Sequence, residues 1–332
     1  MRIGLTYDLA SEYREMGCSE EEVAEFDSIE VIEAIEDVLR ASGDEPFRIG
    51  NIFRLTCALA RGERWDMVFN IAEGMHGFGR EAQVPALLDA YGIPYVFSDP
   101  LVLALTLHKG MTKRVVRDLG ISTPDFAVAE CDADLRGLTL HFPVFVKPVA
   151  GGTSMGISAA SKARDASELH AGASQLWRKF RQPVLIEEFL PGREFTVGLL
   201  GSGRHARAVG AMEIILQDRA EPDVYSLLNK KDWVGRVSYR IEDGELGAEA
   251  RNVALQAWRG LGCRDGGRID LRCGTGGRPQ FLEVNPLPGL HPETSDLAML
   301  CRMAGVGYVE LIETIIHSAK QRMAAATGAS GI

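Results

Sequence analysis

The chain has 332 residues, which exceeds one ordinary hydrophobic core and predicts two or three packed domains. Its formal net charge of −10 argues against general affinity for nucleic acid or an anionic membrane, which requires clustered Lys and Arg. The apolar stretches are too short to span a bilayer, no secretory signal is visible, and the six scattered cysteines are typical of reduced thiols, so we expect a cytoplasmic protein.

The first hundred residues alternate strand and helix patterns. Apolar residues at helical spacing follow a capping-box sequence at 27–30, and short apolar runs bounded by turn residues indicate strands. The predicted strands cover 2–6, 66–71 and 93–97, and the predicted helices cover 29–39 and 81–91. This order predicts a parallel sheet with helices on both faces, and we expect 1–100 to form an N-terminal α/β domain.

Two further stretches, 101–190 and 191–332, mix helices with short strands and are expected to form two α+β subdomains. In the first, we predict helices at 103–119 and 165–180, and strands at 125–129, 143–147, 155–160 and 184–189. The second is strand-rich up to 241 and continues with a helix at 245–261, a hairpin and a terminal helix at 307–323.

The hairpin pattern at 267–286 carries the most informative polar residues. Side chains two apart in a strand share a face, and a turn between Gly276 and Gly277 places Asp270 opposite Glu283. With Asn285 on that face, two carboxylates and an amide oxygen form a ligand set suited to Mg²⁺. A solvated polar face is the alternative, but opposed like charges are unfavourable unless a cation lies between them. We therefore predict a metal site here.

A glycine-rich loop at 144–157 indicates phosphate binding. A strand ends at Lys147, and Gly-Gly-Thr-Ser follows, so backbone amides and the hydroxyls of Thr153 and Ser154 can surround phosphate oxygens. The loop is not a Walker A loop, because no Gly-Lys-Ser/Thr closes it and no helix follows. For the glycines alone, an ordinary turn between strands is the alternative.

An acidic pair after an apolar strand indicates a hinge between domains. Glu187 and Glu188 are followed by Phe189, Leu190 and Pro-Gly, and Glu194 comes shortly after. Backbone and carboxylate groups in such a hinge can bind adenine and ribose. On composition alone, a loop with solvated acids is the better interpretation.

The order of these segments resembles the ATP-grasp superfamily. Within it, the chain resembles the D-alanine–D-alanine ligase family over nearly its whole length, most strongly at 91–310, where Lys147-Pro, Gly-Gly-Arg-Ile-Asp270 and Asn285-Pro-Leu-Pro-Gly289 all match. The resemblance implies an α/β ATP-grasp fold, in which an N-terminal parallel α/β domain precedes two α+β subdomains that sandwich ATP.

The resemblance also implies a reaction. An ATP-dependent ligase would activate one amino acid as an acyl-phosphate and join it to the amine of a second, releasing ADP and phosphate for peptidoglycan biosynthesis. The alternatives are a ligase that joins other amino acids or peptides, and a nucleotide-binding regulator without catalysis. The partners would be small amino-acid substrates, with a homodimer left open.

On the nucleotide side, the resemblance implies that Lys109 and Lys147 contact the phosphates. It places Glu187 beside adenine and Glu194 beside ribose. It also implies two Mg²⁺ ions at the hairpin, with Mn²⁺ as the alternative metal. The other residues implied around the nucleotide are Thr153, Ser154, Glu188, Phe189, Leu190 and Lys230, with Lys231 as the alternative to Lys230.

On the amino-acid side, the resemblance implies that Arg268 stabilises the tetrahedral intermediate, where a fixed cation offsets developing negative charge. Thr294 or Ser295 would bind the second carboxylate, beside Asn285 and Gly289. Thr153 stands where the family has a serine, and it is expected to act with Arg268 in catalysis.

The N-terminal segment departs from the family pattern. The family opens with a glycine loop whose glutamate holds the first ammonium, but both glycines are missing at 7–15 of this chain. We expect Glu15, or alternatively Glu12, to take that role in substrate binding and catalysis. The family's His-Gly-x-x-Gly-Glu turn is present only as His76-Gly77-Phe78-Gly79-Arg80-Glu81, and His76 is expected beside the first substrate.

Overall fold

The computed structural model describes residues 1–221 and 235–329, with side chains through residue 325. Three β-sheets organise this part of the chain, and each sheet lies within one of the three predicted domain ranges. The boundaries at 100 and 190 themselves stay a prediction.

The N-terminal sheet is parallel, with the strand order β2-β1-β3. Its elements are, in chain order, β1 (Arg2–Thr6), α1 (Ala10–Glu15), α2 (Ile29–Ala41), β2 (Glu45–Gly50), α3 (Ile52–Ala60), β3 (Met67–Asn70) and α4 (Gln83–Ala90). The predicted strand at 93–97 is wrong: only Tyr95 pairs with β3, through a single bridge to Val68. Pairing ends there because Phe97 turns the chain with a φ of 76°.

The central sheet is antiparallel, with the order β4-β7-β5-β6. Its elements are α5 (Pro100–Leu107), α6 (Lys109–Asp118), β4 (Phe126–Ala129), β5 (Val144–Pro148), β6 (Lys162–Ala163), α7 (Ala166–Phe180) and β7 (Val184–Glu188). The predicted helix 103–119 is divided at His108, whose ring Nδ1 accepts from the Met111 amide and caps α6.

The strand predicted at 155–160 is also wrong. The residues after the glycine loop form turns and a short 3₁₀ helix at Ala159–Ser161. Thr153 and Ser154 have φ values of 49° and 56°, which lie in the left-handed region and prevent extended pairing.

The C-terminal sheet is antiparallel, with the order β10-β9-β8-β11-β12. The elements of this region are β8 (Glu194–Leu200), β9 (Arg207–Leu216), β10 (Val237–Ile241), α8 (Glu245–Gly260), β11 (Gly266–Cys273), β12 (Pro279–Asn285), α9 (Asp296–Met303) and α10 (Tyr308–Ala329). Helix α8 packs on the sheet through the fully buried Trp258. A side chain at Gly267 would lie 2.4 Å from the Asn285 carbonyl oxygen, so glycine is required there.

One hydrophobic core joins the two ends of the chain. Ile3 and Ile35 of the N-terminal domain belong to the same buried cluster as Leu297, Ile312 and Ile315 from the last two helices. The terminal helix therefore packs on the N-terminal domain, although the sequence grouped it with 191–332. This packing fixes the hairpin relative to the first sheet.

Two exclusions made from the sequence can be compared with the structure. None of the helices in the described ranges combines the length and the apolarity that a membrane crossing requires. All six cysteines carry free thiols, as predicted.

Candidate functional site

A cavity of about 510 Å³ lies where the N-terminal segment, the glycine loop, the hairpin and the start of α9 meet. It brings together residues that are far apart in the sequence, as the resemblance implied. The predicted residues that line it are Lys109, Thr153, Arg268, Glu283, Asn285, Gly289 and Thr294, together with Ser295.

A second cavity, of about 80 Å³, lies between the central and C-terminal sheets. The predicted residues that line it are Lys147, Ser154, Glu187, Glu188, Phe189, Leu190, Glu194, Asp270 and Glu283. Glu283 lines both cavities. A ligand long enough to occupy both would therefore pass this carboxylate.

The hairpin has the predicted pairing, in which Asp270 lies opposite Glu283 and Arg268 opposite Asn285. The predicted turn position is slightly wrong, because Cys273 pairs with Pro279 and the turn is centred on Gly276. A bulge at Leu282 restores the register, and this leucine lines the smaller cavity instead of the core.

The side chains of the predicted metal ligands lie on one face of the hairpin. Asp270 Oδ1 accepts from the Thr196 hydroxyl at 2.7 Å, and Asn285 Nδ2 lies 3.4 Å from Asp270 Oδ2. Among the residues that the structure describes, no group of three or more His, Cys, Asp or Glu could hold a metal ion. The predicted ligands are the carboxylates of Asp270 and Glu283 and the amide oxygen of Asn285. These are hard oxygen donors, which fit Mg²⁺. The metal assignment stays a prediction.

A chain of buried charges connects the hairpin to the central sheet. Glu187 Oε1 lies 2.8 Å from Lys147 Nζ, and its Oε2 lies 2.7 Å from Lys113 Nζ. Burial alone would raise the pKa of Glu187, but the two ammonium groups lower it. Burial would likewise lower the pKa of Lys147, yet Glu187 and Glu283 raise it. Both groups are therefore charged at neutral pH.

Lys109 begins helix α6 and reaches the mouth of the glycine loop. Its ammonium group donates to the Gly151 carbonyl oxygen and lies 3.6 Å from Glu283 Oε2, while Lys147 Nζ lies 3.8 Å from the same oxygen. The two lysines that are predicted to contact phosphate therefore both lie near Glu283, which is a predicted metal ligand.

The glycine loop contacts the N-terminal segment. The Gly152 amide donates to the Glu25 carboxylate, and a side chain at Gly152 would lie 2.6 Å from Glu25 Oε1. The left-handed Thr153 and Ser154 follow directly, and such strained conformations cluster at functional sites.

The structure does not bring two predicted substrate residues to the cavity. Glu15 is exposed at the end of α1, and Glu12 pairs with Arg54 at 2.9 Å. His76 is exposed, and neither it nor Glu15 lines either cavity. The reason is that α1 ends at Glu15, and the following loop brings Glu25 to the cavity instead.

Three acids at one end of the larger cavity were not assigned to the site from the sequence. They are Glu25, Glu73 and Glu81, with Arg80 paired to Glu25. Burial raises the pKa of Glu81 to about 7 against the lowering effect of Arg80, and burial with the charge of Glu81 also raises the pKa of Glu73. Glu73 follows β3, and the carboxyl end of a parallel strand is where a sheet usually places its site, so this residue could have been found.

The remaining predicted residues lie at the edge of the smaller cavity or outside the described ranges. Glu188 pairs with the exposed His141 at 2.7 Å, and Glu194 with Arg272 at 3.2 Å. Lys230 and its alternative Lys231 fall at 222–234, outside the described residues.

Known proteins resemble the chain in sequence. A family model described as "D-ala D-ala ligase C-terminus" matches residues 115–317. A D-alanine–D-alanine ligase of Bordetella avium (strain 197N) is 34% identical over 267 residues, which cover 77% of this chain and 80% of that protein. One of Aquifex aeolicus (strain VF5) is 33% identical over 291 residues, covering 87% and 94%.

A solved structure resembles the chain in fold. The D-alanine–D-alanine ligase of Bacillus anthracis, crystallised in complex with ATP, superposes with a TM-score of 0.74 at 22% identity. The match covers 97% of this chain and 98% of that one. The predicted α/β ATP-grasp fold is thereby confirmed.

Proposed function

The chain belongs to the D-alanine–D-alanine ligase family of ATP-grasp enzymes, and we propose that it joins two amino acids, with D-alanine in the first position. The carboxylate of the first amino acid becomes an acyl-phosphate at the expense of ATP. ADP leaves in that step. The amine of the second amino acid then attacks the carbonyl carbon of the acyl-phosphate, and a carbon–nitrogen bond forms as phosphate leaves and the amine loses a proton.

The observation that carries the proposal is the position of Glu283 between the two cavities. We assign adenine and ribose to the smaller cavity, beneath Phe189 and Leu190, and the phosphate end and both amino acids to the larger one. The ammonium groups of Lys109 and Lys147 lie 3.6 and 3.8 Å from Glu283 at this junction. Phosphate transfer requires this arrangement, in which cations surround the group that moves.

Each charged group at the junction has a distinct task. Lys109 and Lys147 neutralise phosphate oxygens, and the amides of the glycine loop donate to them. Asp270, Glu283 and Asn285 would hold Mg²⁺, which when bound offsets the charge on the transferred phosphoryl group. We propose two such ions, and their number and replacement by Mn²⁺ are to be tested by titration.

Arg268 is placed to stabilise the tetrahedral intermediate. Its Nε lies 3.7 Å from Asp270 and 3.6 Å from Asp296, so two carboxylates hold the guanidinium at the cavity wall. Thr294 and Ser295 line the cavity beside Asp296, where a hydroxyl can donate to the second substrate's carboxylate. A fixed cation close to the joining atoms lowers the barrier because it needs no reorganisation.

We propose Glu25, rather than Glu15 or Glu12, as the carboxylate closest to the first ammonium. Glu25 lines the cavity and contacts the glycine loop, and Glu73 and Glu81 lie on the same wall. A buried ammonium requires a carboxylate partner, since an unpaired buried charge is costly. Among the described residues, the acids that line the cavity are placed to provide that partner.

The same acidic wall favours one second candidate function. Glu25, Glu73, Glu81 and Asp27 face the cavity with Arg80 paired to Glu25 as their neighbouring cation. This excess of carboxylates would suit a ligase whose first substrate carries an additional positive charge. The chemistry of the phosphate end would be unchanged.

The reaction also indicates the partners and the cellular compartment of the enzyme. Its substrates are small molecules, and we place it in the cytoplasm because ATP is supplied there and free thiols suit a reducing compartment. Whether the enzyme works as a homodimer is a question for light scattering of the purified protein.

The test is phosphate release from ATP and Mg²⁺ with a panel of D- and L-amino acids. We expect release with D-alanine and none without an amino acid. Release with a cationic D-amino acid but not with D-alanine would support the second candidate. Release with no member of the panel would contradict a ligase of this class.

A further inference from the structure

Lys113 lies beneath the nucleotide site, in a position that no part of the proposed reaction uses. Its side chain is fully buried and lines neither cavity. Its ammonium lies 2.7 Å from Glu187 Oε2, while Lys147 takes Glu187 Oε1 at 2.8 Å. Each oxygen of this carboxylate therefore pairs with one lysine.

Lys113, Glu187 and Lys147 form a buried triad, and its net charge determines how much positive charge Lys147 presents. Two ammonium groups and one carboxylate leave one net positive charge on three side chains that are at most 5% exposed. If Lys113 were neutral, Glu187 would be paired with Lys147 alone, and the two charges would cancel. Charges in a buried region interact strongly, so this cancellation would reach any anion bound at Lys147.

We propose that Lys113 is a positioning residue for ATP: it neutralises Glu187, so that Lys147 keeps its positive charge for the phosphates. This inference rests on the proposed function, in which Lys147 contacts ATP. Lys113 itself does not touch the nucleotide.

The surroundings of Lys113 fit this role. Burial lowers the pKa of Lys113 to about 8, which still leaves the ammonium mostly protonated at neutral pH. Its Nζ also lies 3.5 Å from the Phe281 carbonyl oxygen, which accepts from the Thr123 hydroxyl at 2.8 Å. Phe281 precedes the bulge that positions Glu283. Lys113 thus contacts both sheets that enclose the smaller cavity.

A pair of variants tests the charge balance directly. Lys113→Met keeps the length of the side chain and removes its charge, which brings the triad to zero. We expect the Kd for ATP with Mg²⁺ to rise on the order of tenfold, and KM for ATP to rise more than kcat falls. Adding Glu187→Gln restores one net positive charge. Because Glu187 is itself expected beside adenine, the double variant is tested with Mg²⁺ and tripolyphosphate, which lacks adenine, and should bind it within about threefold of wild type.

The control is Arg114→Met, which removes an exposed cation from the same helix and should leave the Kd for ATP unchanged. Thermal unfolding of each variant shows whether it is folded, and the charge-balanced double variant remains informative if Lys113→Met unfolds.

Several outcomes would overturn the inference. Lys113→Met with wild-type affinity for ATP would show that the charge of Lys113 does not reach the nucleotide. If the double variant binds no more tightly than Lys113→Met, the loss of affinity would come from the packing of Lys113 and not from its charge. A wild-type protein that fails to bind ATP would overturn the proposed function together with this inference.

Discussion

Asp265→Asn is expected to destabilise the protein without altering either cavity. Asp265 is fully buried before β11 and accepts from the Phe97 amide at 2.8 Å and from the Ser202 and Ser318 hydroxyls at 3.0 and 2.7 Å. It also forms an ion pair with Arg322 of the terminal helix. One carboxylate therefore connects the N-terminal domain, the C-terminal sheet and the last helix.

The expected loss is about 3 kcal/mol of unfolding free energy, because breaking a buried ion pair on one side leaves the other charge unpaired. This is the low end of the usual range, since Arg322 is 26% exposed and also donates to the Tyr95 carbonyl oxygen. Asn tolerates the φ of 64° at this position, so the backbone adds little to the loss. For a chain of 332 residues, the unfolding entropy makes this a fall in Tm of about 4 °C.

Differential scanning calorimetry measures this change, and Asp37→Asn is the matched control. Asp37 has an exposed side chain and pairs only at the surface with Arg40, at 3.4 Å, so its loss should leave Tm unchanged. KM for ATP should also be unchanged in Asp265→Asn. A Tm as high as that of the control would refute the role assigned to the buried carboxylate.

Three further predictions concern the site. Asp270→Asn should lower kcat on the order of a thousandfold with Tm retained, measured by phosphate release; near-normal turnover would remove the metal site from the hairpin. Glu25→Gln should raise KM for the first amino acid on the order of tenfold, whereas Glu15→Gln should leave it unchanged; the reverse result in the same assay would restore the sequence-based assignment. Burial raises the pKa of Asp27 to about 7, so unfolding releases its proton between about pH 4 and pH 7 and stability falls as pH rises through that range. Asp27→Asn should therefore raise Tm at pH 8 but not at pH 4, and equal effects at both pH values would contradict the shift.

The pairing of the hairpin could be predicted from sequence because the information that determines it is local. Asp270 and Glu283 belong to neighbouring antiparallel strands, so the alternation of side chains and the turn position alone determine which residues face each other. The glycines and hydroxyls of the loop after Lys147 are likewise consecutive in the sequence.

The amino-acid end could not be predicted in the same way, because tertiary packing determines it. Glu25 reaches the cavity only after the loop beyond α1 crosses to the glycine loop. Lys113 stands beside Arg114 in a Lys-Arg pair typical of an exposed helix face, yet packing buries it against Glu187. The strand predicted at 93–97 is absent because the left-handed Phe97 ends the pairing after Tyr95, and no local pattern reveals this conformation.

Transfer of an oxygen atom tests the central claim, that the enzyme activates a carboxylate as an acyl-phosphate. D-Alanine labelled with ¹⁸O in both carboxylate oxygens is incubated with the enzyme, ATP and Mg²⁺, and the phosphate is analysed by mass spectrometry. If the carboxylate attacks the γ-phosphorus, each phosphate released in a turnover carries one ¹⁸O atom, and the new amide carbonyl keeps the other. Unlabelled phosphate, or label in AMP instead, would contradict the account.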